Sequence, residues 1–89
     1  MTFRKDCVTQ FLALFEKHRA AIAASEGCVS LYMLQDTRNP QVIFTYSQWQ
    51  DVSFLEKYRS GSVFAGVWPQ TKALFELPAE AWTVKQCWP

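Results

Sequence analysis

The sequence contains few of the residues that build metal and disulfide sites. His18 is the one histidine among 89 residues, so a single chain cannot supply a multi-histidine metal site. Three cysteines, Cys7, Cys28 and Cys87, form an odd, widely spaced set without a C-x-x-C pair. This pattern disfavours a disulfide framework and a thiolate zinc site, and it favours free thiols in a reducing compartment. We therefore expect no metal site.

Long apolar runs and concentrated charge are also missing. No apolar stretch approaches the roughly 20 residues of a membrane span. The charges at positions 4–6 are not followed by the apolar segment of a signal peptide. The net charge is +1, and the basic residues are scattered among acidic ones instead of forming the basic footprint of a nucleic-acid-binding protein. The sequence therefore predicts a cytoplasmic protein that binds neither membrane nor nucleic acid.

Aromatic side chains are what the chain has in quantity, with seven Phe, three Tyr and four Trp. Eight of these fourteen rings lie between Phe44 and Phe75. Rings fill cores, interfaces and small-molecule pockets, and a buried Tyr or Trp normally requires a hydrogen-bond partner. A single small domain has difficulty burying so much aromatic surface, whereas an interface acts as a second core. We therefore expect a homodimer.

The first half of the chain predicts a strand, a helix and a hairpin. Residues 1–5 leave room only for a short strand, because apolar positions at helical spacing between 6 and 24 indicate an amphipathic helix. Gly27 suits the left-handed conformation that ends such a helix. Cys28–Asp36 and Gln41–Trp49 have strand composition and flank a hairpin-like loop. Both strands carry apolar side chains on both faces, which indicates a sheet covered on both sides.

The second half predicts an interrupted helix and a final strand. Asp51 is a suitable N-cap for a helix that ends at Ser60–Gly61. A second helical stretch starts near Ser62, and Pro69 suits the first turn of a continuation that reaches Pro78. The last strand is predicted at Ala81–Trp88. The order β-α-β-β-α-β predicts a single α+β domain over residues 1–89, ferredoxin-like, with an antiparallel sheet and helices on one face. The other face is expected to meet a second copy.

Several short motifs occur in a recognisable order and at recognisable distances. They are Phe11-x3-Phe15, Glu26-Gly27-Cys28, Phe44-Thr45-Tyr46-Ser47-x-Trp49, Leu55-Glu56-x-Tyr58-Arg59, Phe64-x3-Trp68-Pro69-x-Thr71-Lys72-Ala73-Leu74-Phe75 and Ala81-Trp82. Together they resemble the antibiotic biosynthesis monooxygenase (ABM) domain family over nearly the whole chain. The resemblance implies a dimeric α+β barrel in which two sheets pack face to face. It also implies a ligand pocket in each subunit, between the sheet and the helices.

The same resemblance implies either of two activities. One branch oxygenates aromatic hydroquinols or anthrones without a cofactor, and another degrades haem. The second-helix Trp of the haem-degrading branch falls on Tyr58, its axial His falls on Trp68, and its first-strand Asn falls at or before Met1. The His-Ser pair that follows Tyr-Arg in similar proteins is replaced by Ser60-Gly61, which removes one acid/base group. Haem binding therefore ranks behind cofactor-free oxygenation.

A cofactor-free oxygenase needs an apolar pocket, a proton acceptor and a donor or cation near the developing negative charge. Tyr58 and Arg59 are the candidate catalytic residues. Tyr58 or Tyr46 would orient a small aromatic or enolic substrate, and Arg59 would offset negative charge. The candidate pocket residues are Phe44, Tyr46, Trp49, Phe54, Phe64 and Trp68. The alternative is a non-catalytic domain that binds a small molecule or only dimerises, with these rings in its core and interface and Arg59 paired with Glu56 at the surface.

Overall fold

The computed structural model describes residues 1–87 and confirms the ferredoxin-like α+β order. Its elements are β1 (Thr2–Phe3), a 3₁₀ turn (Lys5–Cys7), α1 (Val8–Ala23), β2 (Cys28–Gln35), β3 (Ile43–Trp49), α2 (Val52–Arg59), α3 (Ser62–Lys72) and β4 (Phe75–Leu77). Among these residues, no helix combines the length and the apolar character that crossing a bilayer requires.

The strands form two antiparallel ladders that backbone bonds join edge to edge. Strands β2 and β3 pair from Cys28–Trp49 to Gln35–Ile43, and β1 pairs with β4. Met1 and Ile43 exchange two backbone hydrogen bonds of 2.9 Å, and Thr2 bridges to Val42. The strand order is therefore β4-β1-β3-β2, the order of a ferredoxin-like sheet.

The core lies between one face of this sheet and the helices. Phe3 of β1 and Ile43 of β3 are fully buried. The Phe3 ring stacks on Phe11 of α1 with centroids 4.1 Å apart, and it also contacts Phe75 of β4. Strand β1 is only two residues long, so its few backbone hydrogen bonds contribute little. The burial of the Phe3 ring between α1 and β4 therefore stabilises its position.

The other face of the β2–β3 hairpin carries large apolar side chains in direct contact with solvent. Tyr32 lies opposite Tyr46 and Leu34 lies opposite Phe44, so all four share one face. Their side chains are exposed by 56%, 46%, 52% and 47%, respectively. We call these four residues the open sheet face. In a single chain the helices therefore cover the sheet on one side only, as predicted, and cover of the other side by a second copy stays a prediction.

Two predictions for the second half require correction. The closing strand is β4 at Phe75–Leu77, because Phe75 pairs with Phe3, and not the predicted segment Ala81–Trp88. Residues 78–86 have no regular secondary structure, and Trp88 lies outside the described residues. Helix α3 also runs without a break from Ser62 to Lys72, with Pro69 inside it. The helix tolerates Pro69 at the expense of one backbone bond, since proline has no N–H to donate.

Helix ends follow the local sequence as predicted. The carboxylate of Asp51 caps α2 by accepting a hydrogen bond from the backbone N–H of Ser53 at 3.0 Å. Gly27, after α1, has a φ of 80°, the left-handed region that favours glycine. A Cβ atom at Gly27 would lie 2.2 Å from Cγ of Phe54, so this position also sets how closely α2 approaches the hairpin.

Replacing Gly27 should therefore destabilise the fold. We expect Gly27→Ala to lower the free energy of unfolding by about 2 kcal/mol or more, through backbone strain and the clash with Phe54. The matched control is Gly66→Ala in α3, where a Cβ atom meets nothing within 4 Å. That variant should raise the free energy of unfolding by about 0.5–1 kcal/mol. Urea denaturation at equal protein concentration measures both, and equal effects of the two substitutions would contradict this account.

Candidate functional site

A cavity of about 390 Å³ lies between the helix-covered face of the sheet and the helices. The hairpin contributes Leu31, Thr45, Ser47 and Trp49, and α2 contributes Leu55, Tyr58 and Arg59. Its other walls include Phe11, Phe15 and Ile22 from α1, Phe64, Val67, Trp68 and Thr71 from α3, and Met1 and residues 79–81. The volume falls in the range of small-molecule pockets, which are concave and mostly apolar with a few polar groups.

A continuous series of five aromatic rings runs along one side of this cavity, and four of the five line it. Trp49 contacts Tyr58 at a centroid distance of 5.3 Å, and Tyr58 meets Phe64 edge to face at 5.5 Å. Phe64 and Trp68 lie four residues apart on α3 and therefore stack, at 5.6 Å. Trp68 then meets Phe75 at 5.7 Å. We call these five residues the ring series, which connects β3, α2, α3 and β4.

The structure brings five of the predicted site residues to the cavity: Trp49, Tyr58, Arg59, Phe64 and Trp68. It does not bring Phe44 and Tyr46 there. Side chains alternate along β3, so Thr45 and Ser47 face the cavity while Phe44 and Tyr46 belong to the open sheet face. Tyr46 therefore cannot orient a substrate within its own chain's cavity.

Phe54 also lies away from the cavity. It borders a separate, shallower hollow of about 200 Å³ between α2 and the end of α1, beside Glu26 and Lys57. The side chains of Glu26 and Lys57 form an ion pair across this hollow. Phe54 thus packs over the turn at Gly27 instead of lining the cavity.

Two polar groups on the cavity wall are left without a side-chain partner. Within residues 1–87, neither the Tyr58 hydroxyl nor the Arg59 guanidinium makes a side-chain hydrogen bond or an ion pair. The predicted pair between Arg59 and Glu56 is not formed. By contrast, the hydroxyl of Ser47 is engaged, since it accepts a hydrogen bond from Nε1 of Trp49 at 2.9 Å.

Burial raises the pKa of Tyr58, and this decides which chemistry the residue can perform. The nearby Cys28 raises the pKa of the Tyr58 hydroxyl further, while the cation of Arg59 opposes the shift. At neutral pH, Tyr58 therefore keeps its proton and acts as a hydrogen-bond donor, not as a base. Burial also raises the pKa of the Cys28 thiol, which keeps this sulfur protonated.

The cavity wall also includes an acidic residue that the sequence did not identify. Glu80 lines it between Ala79 and Ala81, in the segment after β4. The alternation of β3 contained the information to place Thr45 and Ser47 in the cavity. No pattern could have placed Glu80, because it precedes the predicted strand Ala81–Trp88 and lies in a part of the chain without regular secondary structure. Within residues 1–87, no three His, Cys, Asp or Glu residues come together as a metal site.

The antiparallel sheet, its helical layer and the cavity between them define a ferredoxin-like α+β domain with a ligand-sized site. The family model for antibiotic biosynthesis monooxygenase matches residues 1–67. The chain belongs to this family. Among curated proteins, none matches the chain in sequence.

Solved structures of low sequence identity share the fold. A conserved protein from Methanosarcina mazei Go1 is 19% identical, with a TM-score of 0.84 over 89% of this chain and 78% of that one. Rv0793 from Mycobacterium tuberculosis is 15% identical, with a TM-score of 0.81 over 97% and 90%. A protein described as an antibiotic biosynthesis monooxygenase is 14% identical, with a TM-score of 0.80 over 86% and 81%. At such identities the likeness establishes the fold alone.

The raised pKa of Tyr58 predicts a loss of stability in alkali. Because only the folded state raises this pKa, its stabilising contribution is fully present below about pH 10, the ordinary tyrosine value. The contribution is lost as the pH rises through the folded-state pKa. In urea denaturation from about pH 8 to pH 11, the difference in unfolding free energy between wild type and Tyr58→Phe should therefore decline above about pH 10. A difference that stays constant across this pH range would contradict the assignment.

Proposed function

We propose that this chain is a cofactor-independent monooxygenase that acts on a small aromatic or enolic substrate, and that it works as a homodimer. The observation that carries the proposal is the presence of two groups on the wall of a largely apolar, aromatic cavity. They are a proton-bearing Tyr58 and an Arg59 without an ion pair among residues 1–87. Membership of the antibiotic biosynthesis monooxygenase family supports it.

The proposed chemistry follows from what these groups can do to an electron-rich aromatic ring. The ring series offers faces against which a flat substrate stacks, with Trp68 shaping the pocket. Removal of a proton turns a hydroquinol or enol into an anion that can reduce dioxygen. Tyr58 donates a hydrogen bond to the substrate oxygen, and Arg59 offsets the negative charge that develops there and on the reduced oxygen.

The homodimer is proposed from the open sheet face. Four large apolar side chains, paired across two strands, form a contiguous patch of the kind that marks an interaction surface. Tyr32 and Tyr46 contact each other with centroids 6.4 Å apart, which gives the patch a flat aromatic centre. A second copy packed face to face would bury it and supply the cover predicted from the sequence. Because the three cysteines are free, we also propose a reducing, cytoplasmic setting.

Oxygen uptake with a panel of hydroquinones and anthrones tests the activity. We expect uptake by the wild-type protein without added metal or cofactor. Arg59→Gln and Tyr58→Phe should each lower kcat/KM on the order of 10²-fold, because each removes a group that stabilises developing charge. The matched control is Arg19→Gln, which removes an exposed guanidinium paired with Glu16 on α1 and should leave the rate unchanged.

Two results would contradict this function. Absence of uptake across the panel, combined with tryptophan quenching by the same compounds, would favour the alternative of a non-catalytic binding domain. Equal rates for Arg59→Gln and Arg19→Gln would show that the Arg59 cation does not stabilise charge in the reaction. A Soret shift on haem titration would instead support haem binding with altered ligands.

The dimer is tested by placing a charge on the open sheet face. Tyr46→Asp should convert the dimer to monomer at micromolar concentration, because the carboxylate would be desolvated in an apolar interface. Val52→Asp is the matched control, since Val52 is exposed by 52% on α2, outside this face. Size-exclusion chromatography with light scattering measures both variants. A wild-type protein that is monomeric under these conditions would contradict the homodimer.

A further inference from the structure

We propose that Glu80 is the proton acceptor of the cavity. This inference rests on the proposed oxygenase function, which needs a base that Tyr58 and Arg59 do not supply. Glu80 reaches the cavity from the irregular segment after β4, on which Ala79 and Ala81 also line the wall. The two neighbouring side chains are small, so the carboxylate is the one group of this segment able to extend toward a bound molecule.

Elimination among the lining residues supports the assignment. Three cavity residues have ionisable side chains: Tyr58, Arg59 and Glu80. Tyr58 retains its proton because burial raises its pKa, and a guanidinium has no lone pair to accept one. Glu80 is therefore the one lining residue with a carboxyl side chain, a group that accepts a proton when it is ionised.

The contacts of Glu80 leave its carboxylate available. Within residues 1–87 it forms neither an ion pair nor a hydrogen bond, although its charge acts on the amino group of Met1, which also borders the cavity. The other glutamates near the domain's sheet edge and hollow have partners. Glu76 accepts a hydrogen bond from Gln41, and Glu26 pairs with Lys57.

The step can be written for a substrate with an acidic CH₂ group, such as an anthrone. The Glu80 carboxylate takes one proton, and the C–H electron pair becomes the enolate. The enolate passes one electron to dioxygen, and the resulting radical and superoxide combine into a C–O bond. The peroxide takes the proton back from Glu80, and loss of water with the second hydrogen leaves a carbonyl. The CH₂ group and one O₂ thus give C=O and H₂O, with the carbon oxidised by four electrons and dioxygen reduced by four.

Proton abstraction can be measured without oxygen, which separates it from oxygenation. The probe is 9-anthrone in D₂O under anaerobic conditions, with replacement of its C10 hydrogens by deuterium followed by proton NMR. We expect wild-type protein to accelerate exchange over buffer, and Glu80→Gln to lower that acceleration on the order of 10²-fold. Glu56→Gln, an exposed glutamate on α2 outside the cavity, should exchange at the wild-type rate. Added formate should restore the exchange rate of Glu80→Ala, and it should leave the exchange rate of the wild-type protein unchanged.

Each outcome bears on one proposal or the other. Exchange by Glu80→Gln at the wild-type rate would overturn the role of Glu80 and leave the oxygenase intact. Wild-type exchange that depends on Glu80, without oxygen uptake when air is admitted, would keep Glu80 as a base and overturn the oxygenase. A wild-type protein that binds anthrone by tryptophan quenching but does not accelerate exchange would overturn the role of Glu80. Loss of anthrone binding in Glu80→Gln would assign the residue to substrate binding. That result would also overturn its role as the proton acceptor.

Discussion

The register of the β2–β3 hairpin determines both surfaces on which this protein depends. With Leu31 opposite Ser47 and Tyr32 opposite Tyr46, one face presents hydroxyls and Trp49 to the cavity while the other presents paired rings to solvent. A slip of one residue would exchange the two sets, filling the cavity with aromatic side chains and removing the open sheet face. The turn at Gly27 supports this register from outside, because the backbone N–H of Gln50 donates to its carbonyl at 2.8 Å.

Through the ring series, the position of the hairpin also determines where the helices lie. Trp49 is fixed by the hairpin, and its contact with Tyr58 sets where α2 lies relative to the sheet. Phe64 of α3 then packs against the Tyr58 ring in an edge-to-face contact. The ring of Tyr58 is thus packed while its hydroxyl has no side-chain partner among residues 1–87, an arrangement in which a donor is positioned before any ligand arrives. Such preorganisation is what makes a fixed donor more effective than water at stabilising developing charge.

The fold was predictable where the signal is local. The carboxylate of Asp51 caps α2 by accepting a hydrogen bond from the backbone N–H of Ser53, two residues further along the chain. Gly27 adopts its left-handed conformation directly after α1, the helix that it ends. The prediction failed where distant contacts decide. Phe75 became a strand residue because it pairs with Phe3, more than seventy positions earlier, so the helix stops at Lys72. For the site, the family resemblance pointed to Tyr58 and Trp68, and helical spacing stacks Trp68 on Phe64. The alternation of β3 turns Phe44 and Tyr46 away from the cavity, but the prediction gave more weight to their aromatic character.

The three polar groups of the cavity come from two separate parts of the chain, which divides the proposed reaction between them. Tyr58 and Arg59 are consecutive on α2 and both line the cavity, so one helix supplies the donor and the cation. Glu80 belongs to a different part of the chain, beyond β4. A base adjacent to Arg59 would form an ion pair with it and lose basicity, since an opposite charge stabilises the ionised carboxylate. Among residues 1–87 no ion pair joins Glu80 to Arg59, so in the proposed reaction the carboxylate takes the proton while the guanidinium offsets the negative charge.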